Sequence, residues 1–153
     1  MTQMKTDQVP VVPGLLTLDS SGAHLVGARC KTCLELYFPA TQTCRNPSCV
    51  SNDLEPARLA SSGTLYSYTI QYYQPPALFK IDNWEPYAIG LVDLDDGVRV
   101  SGVLSDIAFD DIRIGDRLTL GALPLYIDDS GLQRMTHAFF KLDLAASDGA
   151  AAQ

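Results

Sequence analysis

The chain has 153 residues, enough for one domain or two small units, and this length excludes a large enzyme. Hydrophobic residues make up 46% and charged residues 19%, so we expect a packed core and no general disorder. No apolar run is long enough for a membrane-spanning helix, and the first residues lack the basic and apolar regions of a secretory signal. The sequence therefore predicts a cytoplasmic protein, in which disulfides are disfavoured.

The net charge of -7 is unevenly distributed along the chain. Residues 1–60 carry five basic and five acidic side chains, whereas residues 61–143 carry six basic and twelve acidic ones. An acidic surplus opposes binding to phosphate polymers and to anionic lipid. We therefore expect neither a nucleic-acid partner nor a membrane partner.

The beginning of the chain is weakly patterned. Residues 1–22 are interpreted as an N-terminal extension, and the first twelve or so lack a sustained apolar period. Such an end is expected to be mobile and to order only against a partner.

Four cysteines, all those of the chain, follow within twenty residues at the spacing C-x2-C-x10-C-x4-C: Cys30, Cys33, Cys44 and Cys49. Cysteines two to four residues apart allow each tight turn to supply two thiolates to one tetrahedral Zn²⁺. Four protein ligands close the coordination sphere, so we expect one structural zinc ion per chain that contributes to folding. The alternatives are iron, which S4 sites also bind, and buried or disulfide-bonded cysteines. The pattern predicts a rubredoxin-like zinc ribbon over residues 23–60.

The rest of the chain is predicted to be mostly β, because its apolar residues alternate or cluster in short runs. A β-branched and aromatic strand is predicted at 63–73. Two hairpins follow, with strands at 87–94 and 98–104 around an Asp-Gly turn, and at 117–127 and 133–142 around a turn at 128–131. The connector at 105–116 can hold one short helical turn.

Five strands without a long helix are typical of a small closed barrel. We therefore predict a five-stranded OB-fold barrel over residues 61–144, with a sandwich as the second possibility. Residues 145–153 are interpreted as a flexible tail.

Several short segments, in order, resemble the zinc-ribbon plus OB-fold family of acyl-CoA-associated proteins over roughly residues 14–143. The most specific are Tyr37-Phe38-Pro39 after the first cysteine pair, Gly63-Thr64 at the start of the barrel, and the Gly115-Asp116 turn. The second cysteine pair, CRNPSC, has two residues more than the usual family pattern. This departure leaves the geometry of that turn open.

Members of this family typically act beside thiolase-fold enzymes. The resemblance implies a zinc-binding accessory subunit of a thiolase-type acyltransferase complex, with an α2β2 assembly and acyl-CoA at or near the interface. One reaction that it implies is thiolysis of benzoylsuccinyl-CoA in anaerobic toluene degradation. The alternatives are a nucleic-acid-binding ribbon and OB-fold module, and a free-standing protein that binds CoA thioesters.

Catalysis by this chain alone is not expected. A thiolase needs a cysteine nucleophile, and all four cysteines are assigned to the metal. His24 and His137 lie in separate strand-like segments without a nucleophile motif and are interpreted as surface or half-buried residues. The paired aspartates fall in turns and the connector, where Asp is favoured by local hydrogen bonding.

The loop between the first two barrel strands, residues 74–86, exceeds the two to five residues of a normal hairpin loop. OB-folds use this loop for ligand contact. We interpret Phe79, Lys80 and Trp84 as a site for CoA or for the partner protein, with Lys80 available to a CoA phosphate. Alternatively, Phe79 and Trp84 fold back as a lid on the barrel.

Overall fold

The computed structural model of the protein describes residues 7–142, which are mostly β-strand, as the sequence predicts. The strands are β1 Gln8–Pro10, β2 Leu16–Asp19, β3 Gly22–Cys30, β4 Leu36–Tyr37, β5 Leu54–Arg58, β6 Ser62–Gln71, β7 Tyr87–Leu94, β8 Arg99–Leu104, β9 Arg117–Ile127 and β10 Gln133–Lys141. Single turns of 3-10 helix lie at Ala77–Phe79 and Phe109–Asp111. In the described part of the chain, no helix has the length and apolar character to cross a bilayer.

Strands β6 to β10 form a closed barrel. Antiparallel pairs join β6 to β7, β7 to β8, β9 to β10 and β9 to β6. A parallel pair between β8 and β10 completes the ring. Five strands connected in this way have the OB-fold arrangement, so the predicted fold class is confirmed.

The two predicted hairpins turn where the sequence places them. Gly97 has a φ of 91° between β7 and β8, and Gly131 has a φ of 82° between β9 and β10. Glycine adopts this left-handed backbone without steric cost, which explains why Asp-Gly and Ser-Gly end the two turns.

Strand β3 is the central strand of the N-terminal sheet. It pairs antiparallel with β2, β4 and β5 and ends at Cys30. Gly27 lies in the middle of β3, and a Cβ atom there would overlap the carbonyl oxygen of Tyr37 in β4. The missing side chain therefore allows β4 to approach closely and brings Tyr37 beside the cysteine turns.

The N-terminal sheet and the barrel share one hydrophobic core. Leu16, Leu25 and Leu59 from the N-terminal sheet pack in the same buried cluster as the barrel residues Leu65, Val92, Leu118 and Phe139. The described residues thus fold around a continuous apolar interior. The boundaries at residues 22/23 and 60/61 stay a prediction.

The amino-terminal segment differs from the expectation of a mobile start. Strand β1 pairs in parallel with β10, from Gln8 opposite Gln133 to Pro10 opposite Met135. The next residue, Val11, is buried and donates its N–H to the Met135 carbonyl oxygen at 2.7 Å. Three residues are too few to show an apolar period, so the sequence carries no signal for this strand. Residues 1–6 and the predicted tail at 145–153 lie outside the described residues.

Candidate functional site

The four cysteine sulfurs lie together in the N-terminal unit. All four Sγ atoms are within 4.8 Å of one another, and the residues are free thiols. The Sγ–Sγ distance is 3.7 Å between Cys30 and Cys49 and 3.5 Å between Cys33 and Cys44. Four sulfurs at the 2.3 Å Zn–S distance around one ion would be about 3.8 Å apart. The donor set and its spacing therefore fit one tetrahedrally coordinated metal ion.

The first cysteine turn begins where β3 ends. The Leu34 N–H donates to the Cys30 carbonyl oxygen at 2.9 Å, and Leu34 takes a left-handed φ of 68°. This turn directs the backbone N–H groups of Cys33 and Thr32 at the Cys30 sulfur. They lower the pKa of the Cys30 thiol to about 6, the N–H of Cys33 having the largest effect. The turn is thus prepared to hold a thiolate, the form that binds metal.

The second cysteine turn accommodates its two extra residues through Asn46. The Asn46 carbonyl oxygen accepts the Cys49 N–H at 2.9 Å, and its side-chain Oδ1 accepts the Ser48 N–H at 3.0 Å. Burial raises the pKa of the Cys49 thiol to about 12, and its contacts with Cys33 and Cys30 act in the same direction. A bound divalent cation would offset the unfavourable free energy of forming a buried thiolate at Cys49, because the cation stabilises thiolates directly.

Tyr37 supports the cysteine cluster from β4. Its hydroxyl oxygen lies 3.2 Å from the Cys44 sulfur and accepts the Arg45 N–H at 3.0 Å. The hydrogen bond with Cys44 raises the pKa of Tyr37, which favours the protonated hydroxyl. In the sequence, Tyr37 is recognisable only as part of a family pattern, without any sign of this contact. It depends on how β4 returns beside β3, which residue spacing does not show.

The loop at 74–86 covers an apolar cleft of about 260 Å³ on the barrel. Its loop side is formed by residues such as Pro75, Phe79 and Ile81, and its strand side by residues such as Ile89, Val103 and His137. Ile89 lies between the buried Ala88 and Gly90 and is therefore on the outer face of the barrel, and Val103 is its partner across β7 and β8. The loop therefore lies over the outer sheet surface and encloses space beneath it.

The three predicted loop residues are not brought to one point. Phe79 is half-buried and lines both the cleft and a smaller cavity of about 40 Å³. Lys80 is exposed, and its Nζ lies 4.7 Å from the centre of the Tyr126 ring. Trp84 is half-buried and is not among the described residues that line the cleft. Their predicted contact with CoA or a partner stays a prediction.

His137 is half-buried, as expected, and lines the cleft. Its Nε2–H donates to the Ser101 carbonyl oxygen at 2.7 Å, and its ring packs edge-on against Phe38 and Phe139. Burial lowers the pKa of His137, which favours the neutral ring. His24 lies elsewhere, in the β2–β3 hairpin, with Nε2 at 2.8 Å from the Ser21 hydroxyl. The structure therefore does not bring the two histidines to one site.

Comparison with known proteins agrees with this architecture. Residues 57–122 match the family described as ChsH2, C-terminal OB-fold domain. A DUF35 domain-containing scaffold protein of Methanocaldococcus jannaschii is 32% identical over 60% of this chain and 62% of its own length. The chain thus spans less than two thirds of that relative.

Two further relatives are matched over more of their length. The benzoylsuccinyl-CoA thiolase subunit BbsA of Thauera aromatica is 28% identical over 85% of this chain and 86% of BbsA. The solved structure of an Ltp2-ChsH2(DUF35) aldolase superposes with a TM-score of 0.61 at 31% identity, covering 77% of this chain and 84% of that one. The sequence motifs predict a resemblance to the zinc-finger small subunit of benzoylsuccinyl-CoA thiolase. The match to BbsA confirms this resemblance.

Proposed function

The chain belongs to the DUF35 family, and from this membership we propose that it is a non-catalytic, zinc-binding accessory subunit of a thiolase-type acyl-CoA complex. The observation that carries the proposal is the similarity to a thiolase subunit over 85% of this chain. A structural neighbour that is a DUF35-containing aldolase also supports an accessory role in acyl-CoA enzyme complexes.

The proposed partner is a thiolase-fold catalytic subunit in a cytoplasmic α2β2 assembly, with acyl-CoA at or near the interface. Side chains in the loop at 74–86 and directly before it support a contact there, since Tyr72, Tyr73 and Leu78 are 65%, 78% and 51% exposed. Exposed aromatic residues of this kind are enriched in protein interfaces. Phe79, Lys80 and Trp84 belong to the same loop, and in this proposal they contact CoA or the partner.

The similarity to BbsA supports a more specific proposal, that the complex cleaves benzoylsuccinyl-CoA by thiolysis in anaerobic toluene degradation. An assay of the purified complex with benzoylsuccinyl-CoA and free CoA would test it. Turnover of other thioesters, with none of benzoylsuccinyl-CoA, would contradict this substrate assignment and leave the accessory role intact.

The proposed cofactor is one structural zinc ion held by Cys30, Cys33, Cys44 and Cys49. The proposal is supported by four free thiols whose Sγ atoms lie within 4.8 Å of one another. Metal analysis of protein from zinc-replete cells should find about one equivalent of zinc per chain. A stoichiometric yellow-to-red iron chromophore would contradict the zinc assignment.

Affinity purification of the full-length tagged chain from its native host tests the accessory role. We expect a thiolase-fold protein to co-purify in equal amount, and thiolysis to require that protein. A chain that purifies without an acyl-CoA enzyme, and that binds single-stranded nucleic acid with steep salt dependence, would overturn the proposal in favour of the nucleic-acid module.

The variant Trp84→Ala tests the loop in the same purification. If the variant folds but no longer binds the partner or the thioester, the result would support the contact role of the loop. Unchanged binding with a lowered melting temperature would instead show that Trp84 acts as a lid on the barrel. Tyr126→Phe is a suitable control, because it keeps the ring beneath Lys80.

A further inference from the structure

The cleft beneath the loop at 74–86 has an uncharged lining. No Lys, Arg, Asp or Glu side chain lines it among the described residues. Its walls are apolar side chains together with Tyr87, Ser101, Gly102, Thr136 and His137. The nearest cation in the loop, Lys80, is directed to the Tyr126 ring instead. An uncharged lining in a chain with a net charge of -7 indicates a site for a neutral, apolar group.

The position of the cleft corresponds to the ligand face of OB-folds. Those proteins bind ligands on the outer surface of their second and third strands, next to the loop between the first and second strands. Here the corresponding elements are β7, β8 and the loop at 74–86, and all three contribute to the cleft. The loop is therefore placed to cover a ligand.

The size of the cleft limits the group that it can hold. An apolar cavity of about 150 Å³ accepts benzene. The cleft of about 260 Å³ has room for one aromatic ring with a short linker, but not for a whole acyl-CoA molecule.

His137 gives the cleft one fixed polar group. Because a carbonyl oxygen only accepts hydrogen bonds, the contact with Ser101 assigns the proton to Nε2 and leaves Nδ1 as an acceptor. The ring is held between Phe38 and Phe139, with centroid distances of 6.3 and 6.2 Å. The cleft thus has a rigid, neutral imidazole in its wall.

We propose that this cleft binds the acyl group of a CoA thioester, an uncharged aromatic or branched aliphatic group, and leaves the charged CoA part outside. The inference rests on the proposed function in taking the ligand to be a thioester. The cleft would therefore take the uncharged benzoyl end of benzoylsuccinyl-CoA and leave the free carboxylate of its succinyl part outside, because no cationic side chain in the lining would pair with that carboxylate.

Phe79 separates the cleft from the smaller cavity, which is also lined by Val11, Leu16 and Met135. Both cavities share Phe79, Thr136 and His137. Phe79 therefore sets the depth of the acyl site, and Phe79→Ala should extend it so that longer acyl groups bind.

The test is a titration of the zinc-loaded, ¹⁵N-labelled full chain with benzoyl-CoA, acetyl-CoA, succinyl-CoA and free CoA. We expect benzoyl-CoA to shift the amide signals of Ile89, Val103 and His137 and to bind at least tenfold more tightly than the other three. Val103→Phe, which fills the cleft, should abolish this preference, whereas Ile127→Phe at an exposed strand position should keep it. If Val103→Phe does not fold, as judged by circular dichroism, Ser101→Leu serves as the second cleft-filling variant.

Equal affinities for the four compounds, without shifts at the cleft, would overturn the inference. A thiolase-fold protein would still co-purify with the chain in that case. Failure of the acyl site can therefore be distinguished from failure of the proposed accessory role. A further outcome is that the amide signals of the cleft residues shift only when the partner subunit is added and not with benzoyl-CoA. That result would also overturn the acyl site, and it would assign the cleft to a segment of the partner.

Discussion

Tyr37 is the residue that links the N-terminal sheet to the cysteine cluster. Its backbone belongs to β4, which pairs with β3, while its hydroxyl oxygen contacts the Cys44 sulfur and the Arg45 N–H. Groups that hydrogen-bond to metal ligands fix the orientation of those ligands and tune their basicity. The hydroxyl is therefore expected to position the second cysteine turn for metal binding.

Replacing Tyr37 by Phe removes this hydroxyl and keeps the ring. We expect the affinity for zinc to fall about tenfold, because loss of such supporting contacts typically has this effect. Competition with a chromophoric chelator measures the change. Tyr68→Phe, which alters a hydroxyl on β6, is the matched control, and equal affinities of the two variants would contradict the role of Tyr37.

His137 makes the stability of the protein depend on pH. Burial lowers its pKa below the usual 6.5, so the unfolded chain binds more protons than the folded chain as the pH falls through that value. The free energy of unfolding should therefore decrease below about pH 6.5 and be restored at neutral pH.

Urea unfolding at pH 7.5 and 5.5 measures this effect. His137→Gln should lose less stability between the two pH values than the wild type, since the amide does not titrate and can still donate to Ser101. His24→Gln is the control for the other histidine. The same pH dependence in wild type and His137→Gln would show that the buried ring does not titrate as described.

At the scale of elements, the segment that begins with β1 buries one side chain directly after the strand, that of Val11. Val11 is 8% exposed, whereas Val12 is half-buried. Val11→Ala removes the equivalent of two buried methylene groups and should lower the free energy of unfolding by about 1–2 kcal/mol. Val12→Ala should lower the free energy of unfolding by clearly less. Equal small effects in urea unfolding would mean that β1 contributes little to the stability of the barrel.

The barrel strands could be predicted from the sequence because their signals are local. The predicted segment at 87–94 coincides with β7, and the segment at 117–127 coincides with β9. Alternating apolar residues define each strand, and a glycine with positive φ ends each hairpin turn.

The remaining features depend on tertiary contacts. Strand β1 is recognisable only through its parallel partner β10, and β4 has two residues. The cleft is formed by the loop together with four strands, and three of them, β8, β9 and β10, are distant from the loop in sequence. The spacing of the four cysteines predicts the candidate metal site, whereas no short-range pattern encodes the contacts of Tyr37 and His137.

At the scale of the whole molecule, the acidic barrel neutralises much of its own basic charge. Arg99, Arg117 and Arg134 form ion pairs with Asp93, Asp95 and Asp128 at 2.6, 2.8 and 2.8 Å. The pairing lowers the pKa of Asp93 and of Asp95. The pKa of Asp128 is lowered mainly by the hydrogen bond from the Leu132 N–H, and Arg134 acts in the same direction. Arginines held in this way are poorly placed to follow a phosphate backbone, which supports a protein or thioester partner over a nucleic acid.

The shared core predicts that loss of the metal site affects the whole molecule. Cys44→Ala should reduce bound zinc from about one equivalent to none and misfold residues 25–60. Because Leu25 and Leu59 pack into the barrel core, the barrel should also melt at a lower temperature. Metal analysis and amide hydrogen exchange measure these effects, with Ser48→Ala in the same turn as the control. If the amides of residues 25–60 were as well protected from hydrogen exchange without zinc as with it, a structural role for the ion would be contradicted.

The pairing of β1 with β10 also constrains the order of events during synthesis. Residues that the ribosome makes early, at Gln8, are opposite residues made 125 positions later, at Gln133. The β3–β5 sheet and its cysteines need only nearby partners, so they can fold and take up metal first. The barrel has to wait for β10, which pairs with β1, β8 and β9. A nascent chain in which β3 and β5 have paired therefore still exposes Leu25 and Leu59 together with an open barrel edge, and this edge can form unintended strand pairs until β10 has been synthesised.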